Sequence, residues 1–227
     1  MENALIETTY VDHMGSDLSV VNAARVSFGK KSKLICTDLI QGTYDLSKGD
    51  KGLIKYLAKH EHTSPFGHAF ASFHVKAPVF VARQLVKHKF LRWNEISRRY
   101  VSDAPEFYVP TIRGATSDKK QGSGDVLQDS VKLDAALSIA HTQARSNYNF
   151  MLRSGVCEEQ ARMVLPQNTM TEWYWSGSLD AFADMCNLRC KPDTQEETRQ
   201  VAQHIDRKMI ELFPVAWDAL TEDESFD

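Results

Sequence analysis

The sequence is short of several things, and each shortage excludes something. It has no apolar run near the ~20 residues needed to cross a bilayer, so no membrane span is expected. Met1-Glu2-Asn3 is not followed by a basic and then an apolar segment, so no secretory leader is expected either. Cysteine is scarce: the four stand at positions 36, 157, 186 and 190, none in a C-x-x-C pair. That spacing argues against a disulfide framework and for reduced thiols in a cytoplasmic protein, with Cys186 and Cys190 neighbours on one helix face. Only 7 Pro and 11 Gly occur among 227 residues, too few for a fibre or a low-complexity chain. Neither sign of charge dominates. Lys and Arg number 27 against 30 Asp and Glu, a net of −3, which speaks against sequence-blind nucleic-acid binding. Repeats, long linkers and Ser-rich spacers are absent as well. The composition itself is 42% apolar and 25% charged. That suits one globular domain over residues 1–227, long enough to bury roughly 70–75% of its unfolded surface.

The apolar periodicity predicts more helix than strand. Residues 16–28 read as a helix capped by Ser16 or Asp17, with Leu18, Val21 and Arg25 at helical spacing. Residues 29–52 read as an irregular excursion, followed by a short helix through Leu53, Ile54 and Leu57 that ends near His60. Phe73, Val75 and Ala77 alternate with Ser72, His74 and Lys76 as in a half-buried strand. Pro78 then opens a helix with Val79, Ala82 and Val86 as its apolar stripe. A short strand is expected over residues 106–109 and a flexible loop over 117–125. Leu133, Leu137, Ala140, Ala144, Tyr148 and Met151 mark a long amphipathic helix closed by Gly155. A helix over 158–165 stops at Pro166, and Thr169, Thr171, Trp173 and Trp175 alternate as a strand. Helices near 179–189 and 194–213 follow, the second opened by a Thr194/Glu197 capping box. The acidic tail from about residue 221 is expected to fray. These elements predict an α+β fold with helices packed on a small, mostly antiparallel sheet, since the strands are too few for a doubly wound one.

Charge is concentrated in one place. Residues 83–99 hold Arg83, Lys87, Lys89, Arg92, Arg98 and Arg99 against a single acid, Glu95, with His88 between two lysines. Solvated helix faces mix signs at i, i+4 because like charges there repel. Crowded cations are tolerated where an anion neutralises them, and phosphate suits arginine forks and lysine point charges. His60, His62, His68, His74 and His88 lie close by in sequence, but His60-Glu61-His62 is not H-E-x-x-H and no cysteine pair could complete a zinc site. No metal is expected. G-x-G-x-x-G, a Walker phosphate loop and a G-x-S-x-G elbow are missing too, so any nucleotide must be held by something other than a Rossmann turn. An alternative is a non-catalytic nucleic-acid-binding module using residues 83–99, with Phe90, Trp93 and Tyr100 as stacking platforms.

One run narrows this further. Lys87-His88-Lys89, seven residues and then Ser97, inside Asn94-Glu95-Ile96-Ser97-Arg98-Arg99-Tyr100, resembles the signature of flavin-dependent thymidylate synthases. That family typically reads R-H-R, seven residues, S. Further stretches are similar to it in the same order: residues 23–28, 73–84, Ala161-Arg162 ahead of Leu165-Pro166, and Asn187-Leu188-Arg189. Together they cover roughly residues 16–213.

The resemblance implies a homotetramer with active sites at subunit interfaces. It implies bound FAD, reduction by NADPH, and transfer of a methylene from methylenetetrahydrofolate to dUMP, giving dTMP and tetrahydrofolate. It assigns no role to nucleic acid or membrane. Carried over by position, Gln84, Lys87, Glu95, Ser97, Arg98, Arg99, Arg162 and Arg189 would contact dUMP, with Arg189 also the catalytic group at the uracil edge. Ser64, Lys87, His88, Lys89, Glu95 and Ser178 would contact FAD, and His62 would lie near the flavin and folate rings. Methylation at C5 places negative charge on the uracil N3 and carbonyl edge, and a fixed guanidinium there stabilises charge where it develops. An arginine cannot give up its proton, so its help is electrostatic. Ser97 has no evident activating neighbour in sequence and reads as a binding hydroxyl. Lys87 and Lys89 depart from the family's two arginines and lose the bidentate fork; Arg92 and Arg98 stand where small residues are common.

Overall fold

The computed structural model describes residues 4–116, 122–128 and 130–221; most of the expected 117–125 loop and the tail from Glu222 lie outside the described residues. The elements in order are β1 (Glu7–Met14), α1 (Asp17–Arg25), β2 (Ile35–Asp38), β3 (Thr43–Asp45), α2 (Lys48–Lys59), β4 (Phe70–Pro78), α3 (Val79–Leu85) and β5 (Leu91–Glu95). Then come α4 (Val131–Arg153), α5 (Glu158–Ala161), β6 (Met170–Ser178), α6 (Leu179–Arg189), α7 (Glu196–Leu212) and α8 (Pro214–Thr221). Short 3-10 turns cover Val26–Phe28, Ser64–His68 and Arg162–Val164. The fold is α+β, as expected.

The main sheet has the order β1-β4-β6-β5, every pair antiparallel. Alternation along the two central strands decides its faces. Ala71, Phe73, Val75 and Ala77 of β4 and Trp173 and Trp175 of β6 are buried beneath α6 and α7. Phe182 of α6 meets Phe73 and Trp175 edge-on, with ring centroids 5.4 and 5.5 Å apart. The other face is polar. There Ser72 and Ser176 share a 2.8 Å hydrogen bond and Lys76 pairs with Glu106 at 2.7 Å. This is the pattern of a sheet with one face on the core and one open.

Several expectations are corrected. β1 was not read at all, because only alternate residues of an edge strand gain partial cover and its apolar signal is weak. Within 29–52 the chain makes a hairpin, β2 and β3, and α2 begins at Lys48. Buried Asp50 ties the segment down: Arg25 donates to it at 2.6 and 3.0 Å, and Ser32 and Ser47 each at 2.7 Å. Residues 106–109 form no strand; Phe107 makes one isolated bridge to Thr169. Pro78 is the last residue of β4 and the cap of α3, not its first turn. The stripe of α3 is Val81, Ala82 and Leu85, with Val86 exposed. α4 does exist and Gly155 closes it with φ +84°, but only His141, Ala144 and Tyr148 are buried along it, and Leu133 is exposed. No capping box opens α7, because buried Glu197 is taken by Arg113 at 2.7 Å and the Thr194 hydroxyl donates to the Leu188 carbonyl.

Candidate active site

The basic segment spans three kinds of structure. Arg83 and Gln84 end α3, Lys87-His88-Lys89 form a turn, and Arg92 to Glu95 lie on β5. The turn is built locally. The His88 amide donates to the Leu85 carbonyl at 3.1 Å, and Phe90 takes φ +62°, a left-handed conformation uncommon outside glycine. Gly177 opposite lets β5 approach, because a Cβ there would sit 2.3 Å from Leu91 Cδ2 and 3.2 Å from the Phe90 carbonyl oxygen.

At the end of β5, Glu95 is fixed by two donors, the Thr171 hydroxyl at 2.7 Å and the Trp93 indole N–H at 3.0 Å. Beyond it the Ser97 Oγ accepts from Arg99 N at 3.3 Å and Arg99 Nε at 3.2 Å. Arg98 Nη1 donates to the Asp103 carbonyl, and Arg162 Nε to the Glu159 carbonyl. Glu95, Arg98 and Arg162 line one cavity of about 250 Å³ with Leu165, Pro166 and Thr171. That lies below the ~300 Å³ at which small-molecule pockets usually begin.

A second set forms between α3, the 87–89 turn, α6 and α7. Gln84 Nε2 donates to Gln195 Oε1 at 2.6 Å, and Gln84 Oε1 accepts from the Thr198 hydroxyl at 3.2 Å. Arg189, the last residue of α6, donates from Nε to His88 Nε2 at 3.0 Å. Burial, and then the neighbouring Arg189 charge, push the His88 imidazole down to about 4, so it is neutral at pH 7. Burial also lowers Arg189, whose guanidinium nonetheless stays charged. Among the described residues no hydrogen bond or ion pair joins this set to the Glu95 set.

Several cations of the fold meet carboxylates, as in Arg25–Asp50, Lys76–Glu106 and Arg113–Glu197. Among the described residues Arg83, Lys87, Lys89, Arg92, Arg98, Arg99, Arg162 and Arg189 have no carboxylate within 4.0 Å. Of these only Arg98 and Arg189 are half-buried, and a partly buried charge left in this way calls for an anion from outside the chain; the other six are exposed.

Of the other expected residues, His62 lies just past α2, its ring 6.2 Å from Tyr56, which packs on His60 at 4.3 Å. Ser64 opens the 3-10 turn, which packs against β6 and α6. Ser178 is buried where β6 passes into α6 and makes no side-chain bond into the first turn. Asp180, two residues on in the first turn of α6, has a buried Oδ1 with no partner among the described residues. By type these groups suit a dinucleotide: Lys87 and Lys89 for its phosphates, the Ser64 and Ser178 hydroxyls as donors or acceptors, and the Asp180 oxygen as an acceptor for its O–H or N–H groups. Asp180 escaped sequence reasoning, because an acid in a first turn reads as a dipole partner. Thr171, Thr198 and Gln195 escaped it as well, since they act through neighbours and carry no motif. Trp93 is not a stacking platform: it lies 4.3 Å from Trp173 in a parallel stack.

Fold and site together describe an α+β chain without a Rossmann turn that gathers cations lacking carboxylate partners among the described residues. The chain belongs to the thymidylate synthase complementing protein family (Thy1), whose model matches residues 9–215. It is 41% identical over 213 residues to a flavin-dependent thymidylate synthase of Thermus thermophilus, covering 93% of this chain and 74% of that one. A flavin-dependent thymidylate synthase of Thermosipho africanus is 36% identical, covering 92% and 88%. Among solved structures, the UMP/dUMP methylase PolB from Streptomyces cacaoi, bound with 5-Br dUMP, superposes with a TM-score of 0.83 at 32% identity, covering 96% of both chains.

Proposed function

We propose that this chain is a flavin-dependent thymidylate synthase, making dTMP from dUMP with methylenetetrahydrofolate as carbon donor and NADPH as reductant. The observation that carries the reading is the group of uncompensated cations from Arg83 to Arg99, with Arg162 and Arg189, in a chain of net charge −3. The printed names of the relatives support the reaction, and the 5-Br dUMP on PolB supports the substrate.

Each residue's part follows from its surroundings. Arg98, Arg99 and Arg162 supply the charge that a nucleotide phosphate needs, as forks able to meet two oxygens. Glu95, held by Thr171 and Trp93, offers its remaining lone pairs to a donor on the ligand. The Ser97 oxygen already accepts from Arg99, and no base stands beside it, so it binds ligand and does not attack. Arg189 faces the uracil edge, where its charge favours the electron-rich ring that methylation at C5 requires. Ser64, Lys87, His88, Lys89, Ser178 and Glu95 would hold FAD, with His62 near the rings. When bound, FAD supplies the hydride that completes the methyl group.

The reading includes an interface. A cavity of about 250 Å³ at the Glu95 set is too small for substrate and cofactor, and the Arg189 set offers the complementary groups. The two sets from different copies in a homotetramer would complete each site. The test is direct. Purified protein should be yellow, and anaerobically it should form dTMP only with dUMP, methylenetetrahydrofolate and reductant together. A colourless protein that takes up no added flavin and oxidises no NADPH overturns the reading.

A further inference from the structure

Arg189 is partly buried, and its only described protein partner is an imidazole. Buried guanidinium groups ordinarily meet carboxylates, which hold them and cancel their charge together. Here the two effects are separated. The Nε–H of arginine is an obligate donor, so His88 Nε2 must present a lone pair. The single proton of the neutral ring therefore sits on Nδ1, which fixes the tautomer. A doubly protonated ring would set two donors face to face across 3.0 Å. Burial and the nearby guanidinium both hold the ring neutral, so the arrangement reinforces itself.

We propose that His88 is a positioning residue whose neutral Nε2 holds Arg189 in place while leaving its full positive charge, and its terminal NH2 groups, for the uracil edge. The inference rests on the thymidylate synthase reading and deepens it. A carboxylate at position 88 would hold the arginine equally well and remove the field that the reaction needs. A ring at 88 that merely lined a cofactor pocket would have no reason to face Arg189 with a lone pair.

Three proteins separate the possibilities. His88→Gln keeps a neutral acceptor, His88→Glu keeps an acceptor but adds a compensating charge, and His88→Ala removes the acceptor. Flavin content by absorbance and melting temperature are recorded for each, so that cofactor loss or misfolding is seen directly. His88→Gln should keep kcat within about 10-fold of wild type. His88→Glu, at matched flavin content, should lose 10²–10³-fold in kcat, the range for one lost electrostatic donor. His88→Ala should fall between them, with a raised KM for dUMP because Arg189 is no longer held. Equal kcat in the Gln and Glu variants overturns the proposal.

A measurement without catalysis stands beside these. In 15N-histidine-labelled wild-type protein, His88 should show the Nδ1–H tautomer at pH 7 with an unprotonated Nε2. The opposite tautomer, or a doubly protonated ring, overturns the proposal even if the variants do not fold. If wild-type protein makes no dTMP, the functional reading fails, while the tautomer result still decides the His88–Arg189 contact.

Discussion

Replacing Arg189 by alanine removes a guanidinium that His88 alone holds by side chain among the described residues. It is held at 3.0 Å by a neutral ring, and among the described residues no carboxylate lies within ion-pairing distance, so its charge is undiminished. A unit charge about 4 Å from developing negative charge, at an effective dielectric of about 20, interacts by about 4 kcal/mol. Partial exposure reduces this, and losing one oxyanion-type donor typically costs about 2.7–4 kcal/mol, or 10²–10³ in kcat. Arg189→Ala should therefore lower kcat by 10²–10³. The KM for dUMP should rise much less, since the charge matters most as the ring becomes electron-rich. Flavin should remain bound, because Lys87, Lys89 and Ser178 are untouched. The assay is anaerobic single turnover, following flavin reoxidation and dTMP together. Turnover within about threefold of wild type would refute the electrostatic role and the placement of Arg189 at the uracil edge.

Other outcomes follow from other parts of the molecule. Arg162→Ala and Arg189→Ala proteins, each impaired alone, should regain activity when unfolded and refolded together, because in the proposed tetramer mixed assemblies would contain sites with both arginines intact; no recovery would place both groups in one chain's site. Asp50→Ala strips Arg25, Ser32 and Ser47 of their shared acceptor and should cost about 3 kcal/mol by thermal or urea unfolding, at the low end for a broken buried pair because Arg25 stays partly exposed. The hydroxyls of Ser47 and Ser32 and the Arg25 guanidinium hold the Asp50 carboxyl below its ordinary 3.8 despite burial. Its contribution is thus complete above pH 3.8 and disappears as the pH falls through the lower folded value, so wild type and Asp50→Asn should converge in stability under strong acid. Gly177→Ala drives a methyl into Leu91 and should cost about 1–3 kcal/mol while pushing β5 outward, read as a lower melting temperature with a raised KM for dUMP.

The strand periods of β4 and β6 were visible in the sequence because each has a face that recurs at every second residue; α4 was visible by its helical spacing, though only part of the expected stripe is buried. Cysteine spacing also read correctly, since Cys186 lies on α6 and Cys190, one turn on, is its C-cap. β1 was illegible because an edge strand with thin cover carries little apolar alternation, and the β2–β3 hairpin because its tip is apolar and exposed, with Ile40 at 98%. Glu197 looked like a capping residue because its partner, Arg113, is distant in sequence. The site divides along the same line. Charge crowding from Arg83 to Arg99 was plain, and the family resemblance supplied Arg162 and Arg189. Contacts that depend on folding were not readable: the His88 lone pair on Arg189, Thr171 on Glu95, and the orphaned oxygen of Asp180.

Asp17, the first residue of α1, accepts from the backbone N–H groups of Val215 and Ala216 at 3.0 and 2.9 Å, at the start of α8. Two stretches 198 residues apart are thus latched together, and Trp217 completes the core beside them. Everything from α1 to α8 must leave the ribosome before this latch can shut. Until then the apolar slot meant for Trp217 stands open. Partly made chains should accordingly depend on holding factors, and clipping just before Pro214 should be far more damaging than clipping the hairpin tip near Ile40.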